Sequence, residues 1–246
     1  MPLSAEERLI TVRVKIKRAK KHLAELEAAA EIYRDSYTHV SVAGENAKFS
    51  QGEPNFRKLP IIHFDMLAIA GDVLQNLRSA LDHVMYHLAL VANPKATDAV
   101  LQKICFPIGK TLHGYTSLRN AKIKRFIEPG AMHYIDALKP YQGGNYRLWK
   151  LHETNNIDKH RRLISVGNDI LCEGEGFDGH YLLRDRNPPF NRMNSSRRLK
   201  HKKIGGFKSR LRYQATRSGA LIPTLEELTD YVANLVEEFK VFLSKA

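Results

Sequence analysis

Two stretches of this chain concentrate side chains able to exchange protons or hold an oxyanion. The first, Asn76-Leu77-Arg78-Ser79-Ala80-Leu81-Asp82-His83, brings a guanidinium, a carboxylate and an imidazole close together. Arg78 and Asp82 are four apart, so on a helix they share a face and can pair. His83 sits one position further round, and His87 follows it at helical spacing, which points both imidazoles the same way. The second stretch carries His152, Glu153, Asn155, Asn156, Asp158, Lys159 and His160. An arginine presents a planar fork of donors to phosphate or carboxylate, and histidine titrates close to neutral pH.

The elements that must position these groups are helices. Ser4 and Glu7 form a capping box ahead of Leu9, Val12, Ile16, Ala19, Leu23, Leu26, Ala30 and Tyr33, a single apolar stripe. A second helix is predicted from about 64 to 91, with Leu67, Ala70, Leu74, Leu77, Leu81, Val84, Leu88 and Val91 inward and Asn93-Pro94 at its end. A third is predicted over 146–165. A fourth starts at Thr224, capped with Glu227, and runs through Leu228, Val232, Leu235, Phe239 and Phe242. Facing stripes of this kind predict a mainly α protein with an antiparallel four-helix bundle core. Residues 1–246 read as a single helical-bundle domain. Between the third and fourth helices, 165–222 reads as a small basic β/loop insertion, because ISVGNDILCEGEGF, HYLLRD and FKSRLRYQ have strand-like composition.

In the third helix the apolar stripe of Leu148 and Leu151 resumes only at Leu163. Three-four stepping between them lands on Asn155 and on Asp158 or Lys159. Buried polar groups must be satisfied. Asn76, His152, Asn155, Asn156 and Asp158 are therefore expected to form a buried network or a site.

The chain has 246 residues, 43% of them hydrophobic, which excludes a disordered polymer. Its net charge is +13, and positions 187–225 hold ten Lys or Arg and no acid; without those ten the charge would be +3. A field of this sign favours polyanions, with RNA or another nucleic acid the first partner class. Arg197, Arg198, Lys200, Lys202, Lys203, Lys208, Arg210 and Arg212 are the candidate phosphate contacts, with Phe190, Phe207 and Tyr213 placed among them for stacking. The two cysteines, Cys105 and Cys172, lie far apart, which is neither a disulfide framework nor a zinc knuckle. The N-terminal sequence alternates apolar with charged residues unlike a signal peptide, and no apolar run reaches a membrane span. The expected compartment is the cytoplasm, with no membrane partner.

Over about 64–166 the strings NLRSALDH and LWKLHETNNIDKHR resemble those of a widespread bacterial family without an assigned activity. Arg-x4-His in a helical bundle also resembles the motif of HEPN-type proteins, many of them metal-independent endoribonucleases. That resemblance implies Arg78 and His83 as the catalytic pair, converging across a homodimer interface, in toxin–antitoxin or phage-defence biology with a possible antitoxin protein as partner. Arg-x4–6-His recurs at Arg34/His39, Arg57/His63 and Arg147/His152, but only Arg78/His83 lies in a strongly periodic helix. RNA cleavage by its own 2′-hydroxyl needs a base, an acid and stabilisation of phosphorane charge. His83 would exchange the protons, Arg78 would hold phosphate, and Asp82 would orient Arg78. Lys159 or His160 would add charge stabilisation of about 2–4 kcal/mol. Neither a metal nor another cofactor is needed. Two other readings stand beside it. One is a non-catalytic nucleic-acid-binding helical protein in which Arg78–Asp82 is a structural ion pair. The other is a metal-dependent bundle enzyme, similar to DinB-type bundles, in which His152 or His160 joins His83 and His87.

Overall fold

A computed structural model describes residues 3–42, 64–160, 166–172, 207–213 and 219–244. The protein is mainly helical. The long helices are α1 (Ala5–Val42), α2 (Phe64–Ala92), α6 (Tyr146–His160) and α7 (Leu221–Glu238). Shorter ones are α3 (Asp98–Leu101), α4 (Leu112–Leu118), α5 (Pro129–Ala137) and α8 (Lys240–Leu243). A π turn (Arg119–Ile123) and a 3-10 turn (Lys124–Phe126) join α4 to α5.

The predicted stripes are the core. Leu9, Val12, Ile16, Ala19, Leu23, Leu26 and Ala30 of α1 are buried, as are Leu67, Ala70, Leu74, Leu77, Leu81, Val84 and Leu88 of α2. On α7, Leu228, Val232 and Leu235 are buried, and Phe239 beyond it is fully so. Each buried Leu, Ile, Val or Phe among them contributes about 1.5–3 kcal/mol when removed from water. Helix α1 packs mainly on α2 and also on α7 and α8, while α2 packs on α6 and α7.

Polar contacts fix the ends. The α1 capping box forms: Glu7 N donates to Ser4 Oγ at 3.3 Å, and Ser4 N donates to Glu7 Oε2 at 2.7 Å. Arg8, buried, donates to the Leu243 carbonyl at 2.7 Å and so closes the C-terminal end of α8. Arg13 grips Glu237 through two nitrogens, at 2.8 and 2.6 Å. Lys240 pairs with Glu6. At the start of α6, Asn145 Oδ1 accepts from Leu148 N at 3.2 Å while its Nδ2 donates to Tyr231 Oη at 2.7 Å, tying that helix end to α7.

The fourth predicted helix starts one turn earlier than its expected cap. Helix α7 begins at Leu221, which is buried, and Pro223 falls in the first turn, where a missing N–H costs nothing. Thr224 is then inside the helix. Glu227 leaves the capping role and accepts from Arg147 Nε at 2.6 Å. In the 165–222 segment, strand β1 (Val166–Cys172) runs antiparallel to β2 (Phe207–Tyr213), and the short β3 (Gly219–Ala220) pairs with β2. Residues 173–206, with most of the basic tract, lie outside the described part.

Helices α2 and α6 meet where one of them lacks a side chain. A Cβ added at Gly71 would stand 2.5 and 2.7 Å from the Asp158 carboxylate oxygens, so a larger residue here must displace that carboxylate. Gly71→Ala should cost about 1–3 kcal/mol of stability, the usual penalty for overpacking. The double variant Gly71→Ala/Asp158→Ala should regain most of that in thermal denaturation. Equal loss in single and double variants would show that the carboxylate is not the obstacle.

Candidate functional site

Arg78 and Asp82 pair as their spacing predicts, Nη2 to Oδ1 at 3.0 Å, with Arg78 buried. They also hold a peptide. Phe106 N donates to Asp82 Oδ1 at 2.8 Å, and the Phe106 carbonyl accepts from Arg78 Nη2 at 2.8 Å. The segment Cys105-Phe106-Pro107-Ile108 has no helical or strand partner for these groups, and buried backbone donors and acceptors must be matched. The ion pair matches both at once. The Phe106 ring, fully buried, then meets Phe239 edge-on at 6.2 Å.

His83 looks elsewhere. Five residues turn a helix by about 140°, so His83 leaves the Arg78 side of α2. It is half-buried toward α1, where burial and then the charge of Lys15 lower its pKa. His87 shares that side, with Nε2 3.1 Å from Thr11 Oγ1. Burial first, then the neighbouring His83, brings His87 down to about 4. The two imidazoles do face one way, but within one chain Arg78 and His83 are not brought together.

The polar run on α6 faces α2, as the interrupted stripe implied. Asp158 abuts Gly71, and one turn back Thr154 shares a small cavity with Leu74 of α2 and with Leu225 and Leu228 of α7. The antiparallel register carries His152 alongside Arg78. Burial and then the charge of Arg78 bring His152 down to about 4. Asn156 Nδ2 lies 3.0 Å from His152 Nε2. Asn155 is 2% exposed. Among the described residues, Arg78 Nη1, His152 Nδ1, Asn155 Oδ1 and Asp158 Oδ1 are buried without a hydrogen-bond partner. Burial and then Asp72 raise the Asp158 pKa, opposed by Lys159.

Other predicted residues fall outside this seam. Asn76 bonds back to the Asp72 carbonyl at 2.8 Å, on the exposed side of α2. Lys159 is exposed. The side chain of His160 is outside the described part, and so are Arg197, Arg198, Lys200, Lys202 and Lys203. Lys208, Arg210 and Arg212 are described only as backbone positions of β2. Among the described residues no group of three or more His, Cys, Asp or Glu side chains is arranged to hold a metal. Also among them, no helix is long and apolar enough to cross a membrane.

One cluster was not anticipated. Tyr115 Oη donates to Asp136 Oδ1 at 2.5 Å, and Arg119 Nη2 reaches Asp136 Oδ2 at 2.5 Å, joining α4 and the π turn to α5. Its members are scattered over an irregular connection, so no periodicity points to them.

No family model, curated protein or solved structure compared with the chain matches it.

Two outcomes follow. A simple ion pair is rescued when both partners become apolar, but here Arg78→Met/Asp82→Leu also strips both Phe106 groups of their partners. The double variant should therefore remain about 2–4 kcal/mol less stable than wild type in urea unfolding; near-wild-type stability would show the Phe106 contacts to be dispensable. The second outcome concerns pH. His87 and His152 have folded pKa values of about 4 against an ordinary 6.5. The unfolded chain thus takes up protons first, and the stability their neutral forms support is whole above 6.5 and lost as pH falls toward 4. His87→Gln should flatten that decline; an unchanged slope would count against a neutral buried imidazole.

Proposed function

We propose that this protein binds RNA through its basic tract, and that the Arg78–Asp82 pair is part of the framework. The observation that carries this reading is the engagement of Arg78 and Asp82 by the two ends of one buried peptide, Phe106. A guanidinium so held has little freedom to follow a moving phosphate. The chain's excess positive charge lies elsewhere, in the ten basic residues between 187 and 225. Counterion release from the nucleic acid would drive such binding and make it strongly salt-dependent. In this reading the packed helices form an antiparallel four-helix bundle, with 165–222 as its basic insertion.

A second reading, a HEPN-like metal-independent endoribonuclease, is favoured by one detail: among the described residues Arg78 Nη1 has no hydrogen-bond partner. His83 would then have to meet Arg78 from a second copy, as in the homodimers of that family, with Asp82, Lys159 and His160 in support. A toxin or phage-defence role and an antitoxin partner belong to this reading alone. Metal-dependent chemistry at His83 and His87 is the third.

Binding and cleavage of labelled RNA, with EDTA present, separates them. Replacing Arg197, Arg198, Lys200, Lys202 and Lys203 with Ala should weaken binding and lower the salt slope by about 3.5, at roughly 0.7 per lost single-strand phosphate contact. Binding by His83→Ala should match wild type. Unchanged affinity in the five-site variant overturns the tract assignment. Cleavage leaving 2′,3′-cyclic phosphate ends, lost in His83→Ala, would instead establish the nuclease.

A further inference from the structure

The buried stripe of α1 has a counterpart on the opposite face of the same helix. Ile10, Val14, Lys17, Lys21, Ala24 and Ala28 follow one another at four-three steps, and all six are exposed. Ile10 and Val14 are 57% and 52% exposed, and Ile32, one turn beyond Ala28, is 73% exposed. Every exposed large apolar side chain described in α1 therefore falls on this one stripe. Glu7, also exposed, stands one step before Ile10. An apolar stripe on a helix marks a face that packs. A four-three repeat is the pattern by which two helices pack along a shared seam.

The order of charge along the stripe selects the partner. It runs from an acid, Glu7, through Ile10 and Val14 to two bases, Lys17 and Lys21. A second α1 running antiparallel, with Ile10 of each copy opposite Val14 of the other, sets Glu7 opposite Lys17 at both ends of the contact. A parallel pair would instead set Lys17 on Lys17 and Lys21 on Lys21. Sliding the antiparallel pair by one heptad puts Ile10 on Lys21 and Val14 on Lys17, and sliding it by two puts Lys17 on Lys21. Like charges and unpaired bases at a seam are what specify against a register. We propose that this face of α1 joins two copies of the chain in an antiparallel homodimer, with Ile10–Val14 pairs at its centre and Glu7–Lys17 pairs flanking them. Ser4 engages Glu7 through Oε2, so Oε1 is the oxygen that meets Lys17. Arg13, beside the centre of the contact, is already neutralised by Glu6 and Glu237. The paired stretch from residue 7 to 17 is about 15 Å long, which places the dimer among small, reversible associations. It does not depend on RNA binding. It also differs from the homodimer of the nuclease reading, because the other face of α1 rests on α2 and the contact does not carry His83 of one copy to Arg78 of the next.

Sedimentation equilibrium of the full chain, with RNA absent, should show reversible self-association as concentration is raised. Ile10→Asp and Val14→Asp should each raise the dissociation constant about tenfold or more. Both positions are exposed, so circular dichroism should stay that of wild type. Zero-length carbodiimide coupling then reads the register. Within one chain Glu7 and Lys17 are about 15 Å apart along the helix, too far for a direct amide bond, so a Glu7–Lys17 amide joins two copies. A mixture of nitrogen-15-labelled and unlabelled protein should yield that linked peptide in mixed isotopic form by mass spectrometry, and Val14→Asp should remove it. A chain that stays monomeric up to about 1 mM overturns the proposal. So does a dimer that neither folded variant weakens, since its interface must lie elsewhere. A dimer that couples through other pairs and never through Glu7–Lys17 overturns it as well. The five-site tract variant should associate as wild type does, even where RNA binding is lost, so the two assignments fail separately.

Discussion

A charged group taken out of water needs polar partners, and this fold supplies them to Arg78 through its Nη2. Its guanidinium lies against the Phe106 carbonyl and the Asp82 carboxylate, and Asp82 in turn accepts from the Phe106 amide. An irregular segment is thereby fixed to the middle of a regular helix. Phe106 can then fill the space beside Phe239, and Tyr134 packs edge-on against the same ring at 5.1 Å. Without the ion pair the peptide would be buried with neither group matched, and the aromatic cluster would lose its anchor. The desolvation cost of the pair is offset by the backbone it satisfies.

The same helix faces three environments, and each sets a different chemistry. Toward α1 it presents His83 and His87, kept neutral by burial and by the positive charges of Lys15 and Arg8. Toward the Phe106 segment it presents a closed ion pair. Toward α6 it presents Gly71 and the free edge of Arg78. Residues that are neighbours in sequence are therefore not neighbours in function. The spacing Arg-x4-His describes a string, whereas the helix turns its two ends away from each other.

Much of the fold was legible because periodicity survives burial. The stripes of α1 and α2 could be read almost throughout, Val91 being only partly buried and the Tyr33 side chain lying outside the described part, and the Ser4–Glu7 box marked a true helix start. The α7 start could not be read so, since Leu221 and Pro223 outweigh a Thr-x-x-Glu pattern whose glutamate has a better partner in Arg147. Polar interruption of the α6 stripe correctly marked Asn155 and Asp158 as inward. What sequence could not supply was the partner across the seam. Nothing in the pattern pairs Gly71 with Asp158 or Arg78 with His152, because inter-helix register depends on contacts far apart in the chain. The Phe106 contacts were hidden for the same reason, and Tyr115–Arg119–Asp136 because irregular turns carry no period.

The clasp between Arg8 and the Leu243 carbonyl bears on how the chain is made as well as on how it is held. A ribosome delivers α1 first, and α2 can cover part of its stripe soon afterward. The surface of α1 that rests on α7 and α8 waits until nearly all the described helices have emerged. During that interval Arg13 and Arg8 lack the carboxylate and carbonyl that later receive them, and apolar side chains on the same helix stand open to solvent. Completion of the core among the described helices is thus a late event in synthesis.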